Sequence, residues 1–120
     1  METKKVLIVE DEMIIAMLIE RMVTNMGHQV IDKVSSGEDA INKALEHSPD
    51  LILMDIRLKG EIDGIEAMTR IQKKMSIPVI YISGNSDLAH QQKMNNTNYI
   101  DFLSKPITQS ALSKSFSVAS

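Results

Sequence analysis

The sequence predicts an α/β fold: a single doubly wound five-stranded parallel sheet in the order 2-1-3-4-5, covered by helices on both faces in a three-layer sandwich. Three observations predict it. Short apolar runs alternate with stretches of helical period along all 120 residues, the pattern of a parallel sheet with crossover helices. The runs Val6–Val9, Leu51–Met54 and Ile77–Ile82 are almost wholly apolar rather than alternating, as strands buried on both faces are. Right-handed crossovers then leave a doubly wound sheet, in which strands 1 and 3 lie side by side where the winding reverses. The length suits one domain, residues 1–120.

Each element has its own warrant. Val6-Leu7-Ile8-Val9 ends at acidic residues and is the first strand. From Glu12 to Met26 the period is helical, with Ile14, Ile15, Leu18, Met22 and Met26 able to share a face, and Gly27 stops the helix. Gln29–Val34 is the second strand. Ser36 caps a helix carrying Asp39 in its first turn and Ala40, Ile41, Ala44 and Leu45 beyond it. Ser48-Pro49-Asp50 is a turn, and Leu51–Met54 is the third strand, ending at Asp55. After the loop 57–62, Asp63 and Glu66 form a capping box for a helix from Gly64 to Met75. Ile77–Ile82 is the fourth strand, its proline tolerated near the start. A helix runs from Ser86 to about Met94, Asn95–Asn98 is a polar loop, Tyr99–Leu103 is the fifth strand, and Ile107 opens the last helix. The serine-rich stretch 113–120 is either the frayed end of that helix or the start of a linker.

Composition excludes several functions. Without cysteine there is neither a disulfide nor a thiolate metal site, which fits a cytoplasmic location. A net charge of −3, from 16 acidic and 13 basic residues, gives no electrostatic case for nucleic acid. The apolar segment near the N-terminus is too short for a signal peptide or a membrane span. Nothing argues for an assembly beyond a monomer or weak homodimer. His28, His47 and His90 are expected at the surface and are assigned no role; the nine methionines are expected to fill core gaps.

The chemistry gathers at the carboxyl ends of the strands. Glu10, Asp11 and Glu12 follow the first, Asp55 the third, Ser83-Gly84 the fourth and Lys105-Pro106 the fifth. Adjacent strands lie about 4.8 Å apart, and two carboxylates about 5 Å apart repel by roughly 3 kcal/mol at an effective dielectric of 20. Protonation, Lys105 or a divalent cation relieves that repulsion. Hard oxygen ligands without histidine or cysteine favour magnesium over zinc. A lysine, a hydroxyl and a metal around one aspartate suit a phosphoryl group, with the aspartate as nucleophile.

The segments Val6–Glu12, Leu51–Asp55, Ile80–Gly84 and Phe102–Pro106, in this order and spacing, resemble the response-regulator receiver family of two-component systems, across essentially the whole chain. The resemblance implies a flavodoxin-like receiver fold and a signalling switch rather than an enzyme. Asp55 would accept a phosphoryl group from a histidine kinase or histidine phosphotransfer protein. Asp11 and Asp55 would ligate Mg2+ through their side chains, Arg57 through its backbone carbonyl, and Glu10 directly or through water. Lys105 would contact the acyl phosphate, aimed by a cis bond to Pro106. Ser83, followed by Gly84, would hydrogen-bond the phosphoryl oxygen, and Phe102 holds the place of the switch aromatic. The fourth and fifth helices and the fifth strand would carry the output. The chain departs from the common pattern with Glu10 for aspartate, Ser83 for threonine, Phe102 for tyrosine, and Lys59-Gly60 in a loop one residue longer. The stretch Leu58–Glu66 resembles receivers linked to sensor kinases and sensory modules.

Each piece has a plainer reading alone. Glu10–Glu12 suits the start of any helix, Asp55 and Ser83-Gly84 suit turns, Lys105 suits the surface, and Phe102 suits ordinary packing. Two functions compete with the switch. One is a receiver that never takes phosphate, against which stand Asp55, Ser83 and Lys105. The other is a nucleotide-binding or phosphohydrolase domain on a similar sheet, but no glycine-rich loop follows the first strand.

Overall fold

The computed structural model describes residues 2–84 and 92–119. Five parallel strands form one sheet in the order β2-β1-β3-β4-β5. They are β1 (Lys5–Val9), β2 (Gln29–Val34), β3 (Leu51–Asp55), β4 (Val79–Ser83) and β5 (Tyr99–Ser104). The described helices are α1 (Met13–Asn25), α2 (Gly37–His47), α3 (Gly64–Gln72) and a C-terminal helix (Gln109–Ala119). The helix expected from Ser86 to Met94 lies mostly outside the described residues, as does His90; residues 92–94 are helical.

The three inner strands β1, β3 and β4 are almost wholly apolar because both their faces are covered. Leu7 and Val9 of β1, Ile52 and Met54 of β3, and Val79 and Tyr81 of β4 pack on one side with α2 and α3. Val6 and Ile8, Leu51 and Leu53, and Ile80 and Ile82 pack on the other with α1 and the C-terminal helix. The period of two along each strand makes this division. Ser36 accepts from the Asp39 N–H and Asp63 from the Glu66 N–H, so the second and third helices start where their caps place them. Gly27, at φ +88, follows α1 as its sequence position requires.

Four expectations need correction. The buried side of α1 is Ala16, Ile19 and Val23, with Ile15, Met22 and Met26 flanking it, whereas Ile14 and Leu18 are exposed. Met13–Ile19 is apolar all round, so periodicity does not set its phase; small Ala16 takes a buried place that the larger Ile14 and Leu18 do not. Leu45 of α2 is likewise exposed. His28 is buried, its Nδ1 accepting from the Lys4 N–H (3.0 Å) and its ring lying on Phe116 with centroids 4.9 Å apart. Of the methionines, Met54, Met68 and Met94 are in the core, but Met13 and Met17 are exposed. The C-terminal helix continues to Ala119, with Ser115 and Phe116 buried.

Candidate functional site

At the carboxyl edge of the sheet, Glu10 and Asp11 directly follow β1, and its neighbour β3 ends in Asp55. Oxygens from these three carboxylates all lie within 4.8 Å of one another. Glu10 and Asp55 are buried, at 3% exposure each, and Asp11 is half-buried. At 4.8 Å, each pair of ionised groups repels by about 3 kcal/mol at an effective dielectric of 20.

Lys105, just past β5, supplies the compensating charge. Its Nζ lies 2.7 Å from Glu10 Oε1 and 3.0 Å from Asp55 Oδ2. The approach to Asp55 is an aligned hydrogen bond; that to Glu10 Oε1 is a charge contact without hydrogen-bond alignment. The Lys105–Pro106 peptide is cis. Burial opposes the lysine's charge, but Glu10 and Asp55 outweigh it and hold its pKa above the ordinary value. Burial raises the Glu10 pKa, and Asp55 raises it further, with Lys105 opposing. One ammonium against three carboxylates leaves a formal deficit of two charges if all are ionised, which suits a divalent cation.

The backbone fixes the remaining geometry. The Arg57 N–H donates to Asp55 Oδ1 (3.1 Å), while the Arg57 side chain is exposed. The Glu12 N–H, at the start of α1, approaches Glu10 Oε2 at 3.5 Å. Ser83 is buried at the end of β4, two residues beyond Tyr81 and therefore on the same side of the sheet. Phe102, opposite Tyr81 in the ladder, is half-buried and packs with the α2–α3 core rather than against the carboxylates. Gly84 is exposed beside the Lys105 stem.

One residue that shapes the site was not singled out from the sequence. A Cβ on Gly64 would lie 2.1 Å from the Asp55 carbonyl oxygen and 2.7 Å from Met54 Cγ. Only glycine therefore lets the first turn of α3 lie against the end of β3, where the Gly64 N–H donates to the Ile56 carbonyl (2.9 Å). The available signal was a glycine opening a helix directly after its cap, a place where helix propensity does not favour it.

Comparison with known proteins agrees with this fold. The family model for the response regulator receiver domain matches residues 6–117. The transcriptional regulatory protein PdtaR of Mycobacterium tuberculosis is 29% identical over 109 residues, which are 91% of this chain and 53% of that protein. The chain thus spans about half the length of that curated relative. The signal receiver domain of a modulated diguanylate cyclase from Desulfovibrio desulfuricans superposes with a TM-score of 0.91 at 30% identity, covering 98% of this chain and 94% of that one. The N-terminal domain of a response regulator/sensory box/GGDEF three-domain protein from Carboxydothermus hydrogenoformans gives 0.88 at 31% identity, covering 97% and 93%.

Proposed function

The chain belongs to the response regulator receiver domain family, and from that premise we propose that Asp55 accepts a phosphoryl group from a phosphohistidine and that this switches the protein's output surface. The observation that carries the proposal is the setting of the Asp55 carboxylate: Lys105 Nζ on one oxygen at 3.0 Å, the Arg57 N–H on the other at 3.1 Å, and Asp11 and Glu10 oxygens within 4.8 Å.

In the transfer, an Asp55 oxygen attacks phosphorus and the P–N bond breaks. Its electron pair stays on the imidazole nitrogen, which then takes a proton. Lys105 balances negative charge on the transferred group, and the Arg57 N–H holds the carboxylate in place. Glu10, Asp11 and Asp55 fit Mg2+, being hard oxygen donors that converge with excess negative charge; the Arg57 carbonyl is proposed as a further ligand. A bound Mg2+ would neutralise charge on the phosphoryl oxygens. Ser83 donates its hydroxyl to the phosphoryl group, beside Gly84, and Phe102 follows its movement.

The phosphodonor is a histidine kinase or histidine phosphotransfer protein. The exposed apolar residues Met13, Ile14, Met17 and Leu18 start next to Asp11 and offer such a partner a docking face. The receiver acts in the cytoplasm as a monomer or weak homodimer and works as a signalling switch rather than an enzyme, either standing alone or as a part of a larger regulator or hybrid sensor kinase. Among the described residues no helix is long and apolar enough to cross a membrane.

The test is intact-mass measurement after incubation with acetyl phosphate and Mg2+. The wild type should gain one phosphoryl mass and Asp55→Asn none. Labelling that survives Asp55→Asn, or that proceeds equally in EDTA, refutes the assignment.

A further inference from the structure

We propose that Asp101 is a positioning residue that ties the state of β5 to the C-terminal helix through Ser115. The proposal rests on the phosphoacceptor reading of Asp55 and names how that site's state leaves it.

The strand itself is irregular at this point. Val79 pairs with Tyr99 but Ile80 pairs with Asp101, so Ile100 is an extra residue in β5. Simple alternation would put Tyr99 and Phe102, three apart, on opposite faces. Instead both pack with the α2–α3 core, while Ile100 and Leu103 pack on the other side. A bulge re-aims a side chain; here it turns Tyr99 to the side of Phe102 and Ile100 to that of Leu103, next to Asp101, which keeps the side that alternation with Leu103 gives it.

Its carboxylate joins two elements. Oδ1 accepts from the N–H of Phe102 at 2.8 Å, and Oδ2 accepts from the Ser115 hydroxyl at 2.6 Å. Ser115 is fully buried in the middle of the C-terminal helix. A helical serine usually turns its hydroxyl back on the carbonyl four residues earlier. Here that carbonyl, of Ala111, is 3.3 Å away, so the short bond is the one to the carboxylate. The helix's other buried anchors, Leu112 and Phe116, are apolar, and the contact of Asn25 Nδ2 with Gln109 Oε1 is exposed and long at 3.5 Å. Apolar contact is not directional, so it lets a helix slide or roll, whereas a 2.6 Å hydrogen bond sets its register.

At its other end β5 leads into Lys105, whose ammonium lies on Asp55. Asp101 is four residues upstream, about 13 Å along the strand. When Asp55 becomes an acyl phosphate, Lys105 exchanges a carboxylate partner for a phosphoryl one. β5 adjusts, the bulge takes up the change, and Asp101 passes it to Ser115.

The test is 15N–1H NMR of the full chain with and without beryllofluoride and Mg2+, in wild type, Ser115→Ala and Asp101→Ala. The wild type should show shifts at Asp55, at Ser83 and throughout 111–119. In both variants the shifts at Asp55 and Ser83 should remain and those of 111–119 be lost. Helix shifts that persist undiminished in either folded variant overturn the proposal, as does a wild type whose Asp55 responds while 111–119 does not. A wild type in which Asp55 itself is silent removes the phosphoacceptor reading and this inference with it. Either variant alone decides the matter should the other not fold.

Discussion

Gly64→Ala tests whether the close seat of α3 against β3 holds the site together. The added Cβ would meet the Asp55 carbonyl oxygen at 2.1 Å and Met54 Cγ at 2.7 Å. Ordinary contact between such atoms is about 3.5 Å, so the helix start or the end of β3 must give by roughly 1 Å. Neither is a flexible tip: one clash is with backbone and the other with a fully buried side chain. Overpacking of this kind costs about 1–3 kcal/mol, and the upper half of that range applies because both neighbours are fixed. Alanine's better helix propensity returns up to about 1 kcal/mol, though less in a first turn. The net loss is then about 2 kcal/mol, or roughly 8 °C in melting temperature for a domain of this size. Gly84→Ala is the control, since the nearest atom to its Cβ is Lys105 Cδ at 4.0 Å; it should change stability by less than about 0.5 kcal/mol. Paired urea and thermal melts measure both. Equal stability of Gly64→Ala and wild type would refute the reasoning.

Other predictions follow from buried polar groups. Tyr81 and Thr97 form a chain in which the Tyr81 hydroxyl donates to Thr97 Oγ1 (2.8 Å) and Thr97 donates to the Met94 carbonyl (2.7 Å), with burial as the main cause pushing the Tyr81 pKa up to about 12. Tyr81→Phe should cost about 1 kcal/mol and Thr97→Val about 2 kcal/mol in urea melts, since the valine leaves a buried phenol unpaired while the Met94 carbonyl keeps only the Thr97 N–H; the reverse order would contradict the chain. Burial, then the charges of Lys4 and the N-terminus, holds the His28 pKa below its ordinary 6.5. Because the unfolded chain then binds the extra proton, this contribution is constant above about pH 6.5 and is lost as the pH falls below it. The stability difference between wild type and His28→Gln should therefore shrink from pH 7.5 to 5.5, and a difference independent of pH would exclude the histidine as its source.

Much of this was legible in the sequence because two physical patterns are strong there. Strands covered on both faces leave almost no room for polar residues, so β1, β3 and β4 stand out, and the order of the sheet follows from the handedness of their connections. The polar residues directly after those strands fall at one edge of the sheet, which is why Glu10, Asp11, Asp55 and Lys105 could be grouped before any distance was known. What stayed hidden depends on phase or on approach distance. The uniformly apolar start of α1 conceals which side faces the sheet, so helical spacing alone points Ile14 and Leu18 inward although both are exposed. A histidine looks like a surface residue until a backbone N–H and an aromatic ring are brought to it, as Lys4 and Phe116 are brought to His28.

The bulge in β5 is the case in which such a hidden feature bears on function. A regular strand would carry Phe102 and Ile100 on one face and Asp101 and Tyr99 on the other. The observed register moves Tyr99 to the Phe102 side and leaves Asp101 to Ser115. The same irregularity therefore completes the aromatic packing of Tyr81 with Tyr99, whose ring centroids are 5.9 Å apart, directly beside the polar tie of Asp101 to the C-terminal helix. Phe102 has no hydroxyl with which to mark its inward or outward position by a hydrogen bond. Its backbone N–H, held by Asp101, is the polar handle that this residue has. Coupling that runs through the N–H survives changes to the ring and fails when the carboxylate is removed. Phe102→Leu should accordingly leave the activation-dependent shifts of 111–119 in place, whereas Asp101→Ala abolishes them; loss of those shifts in Phe102→Leu alone would place the coupling in the ring instead.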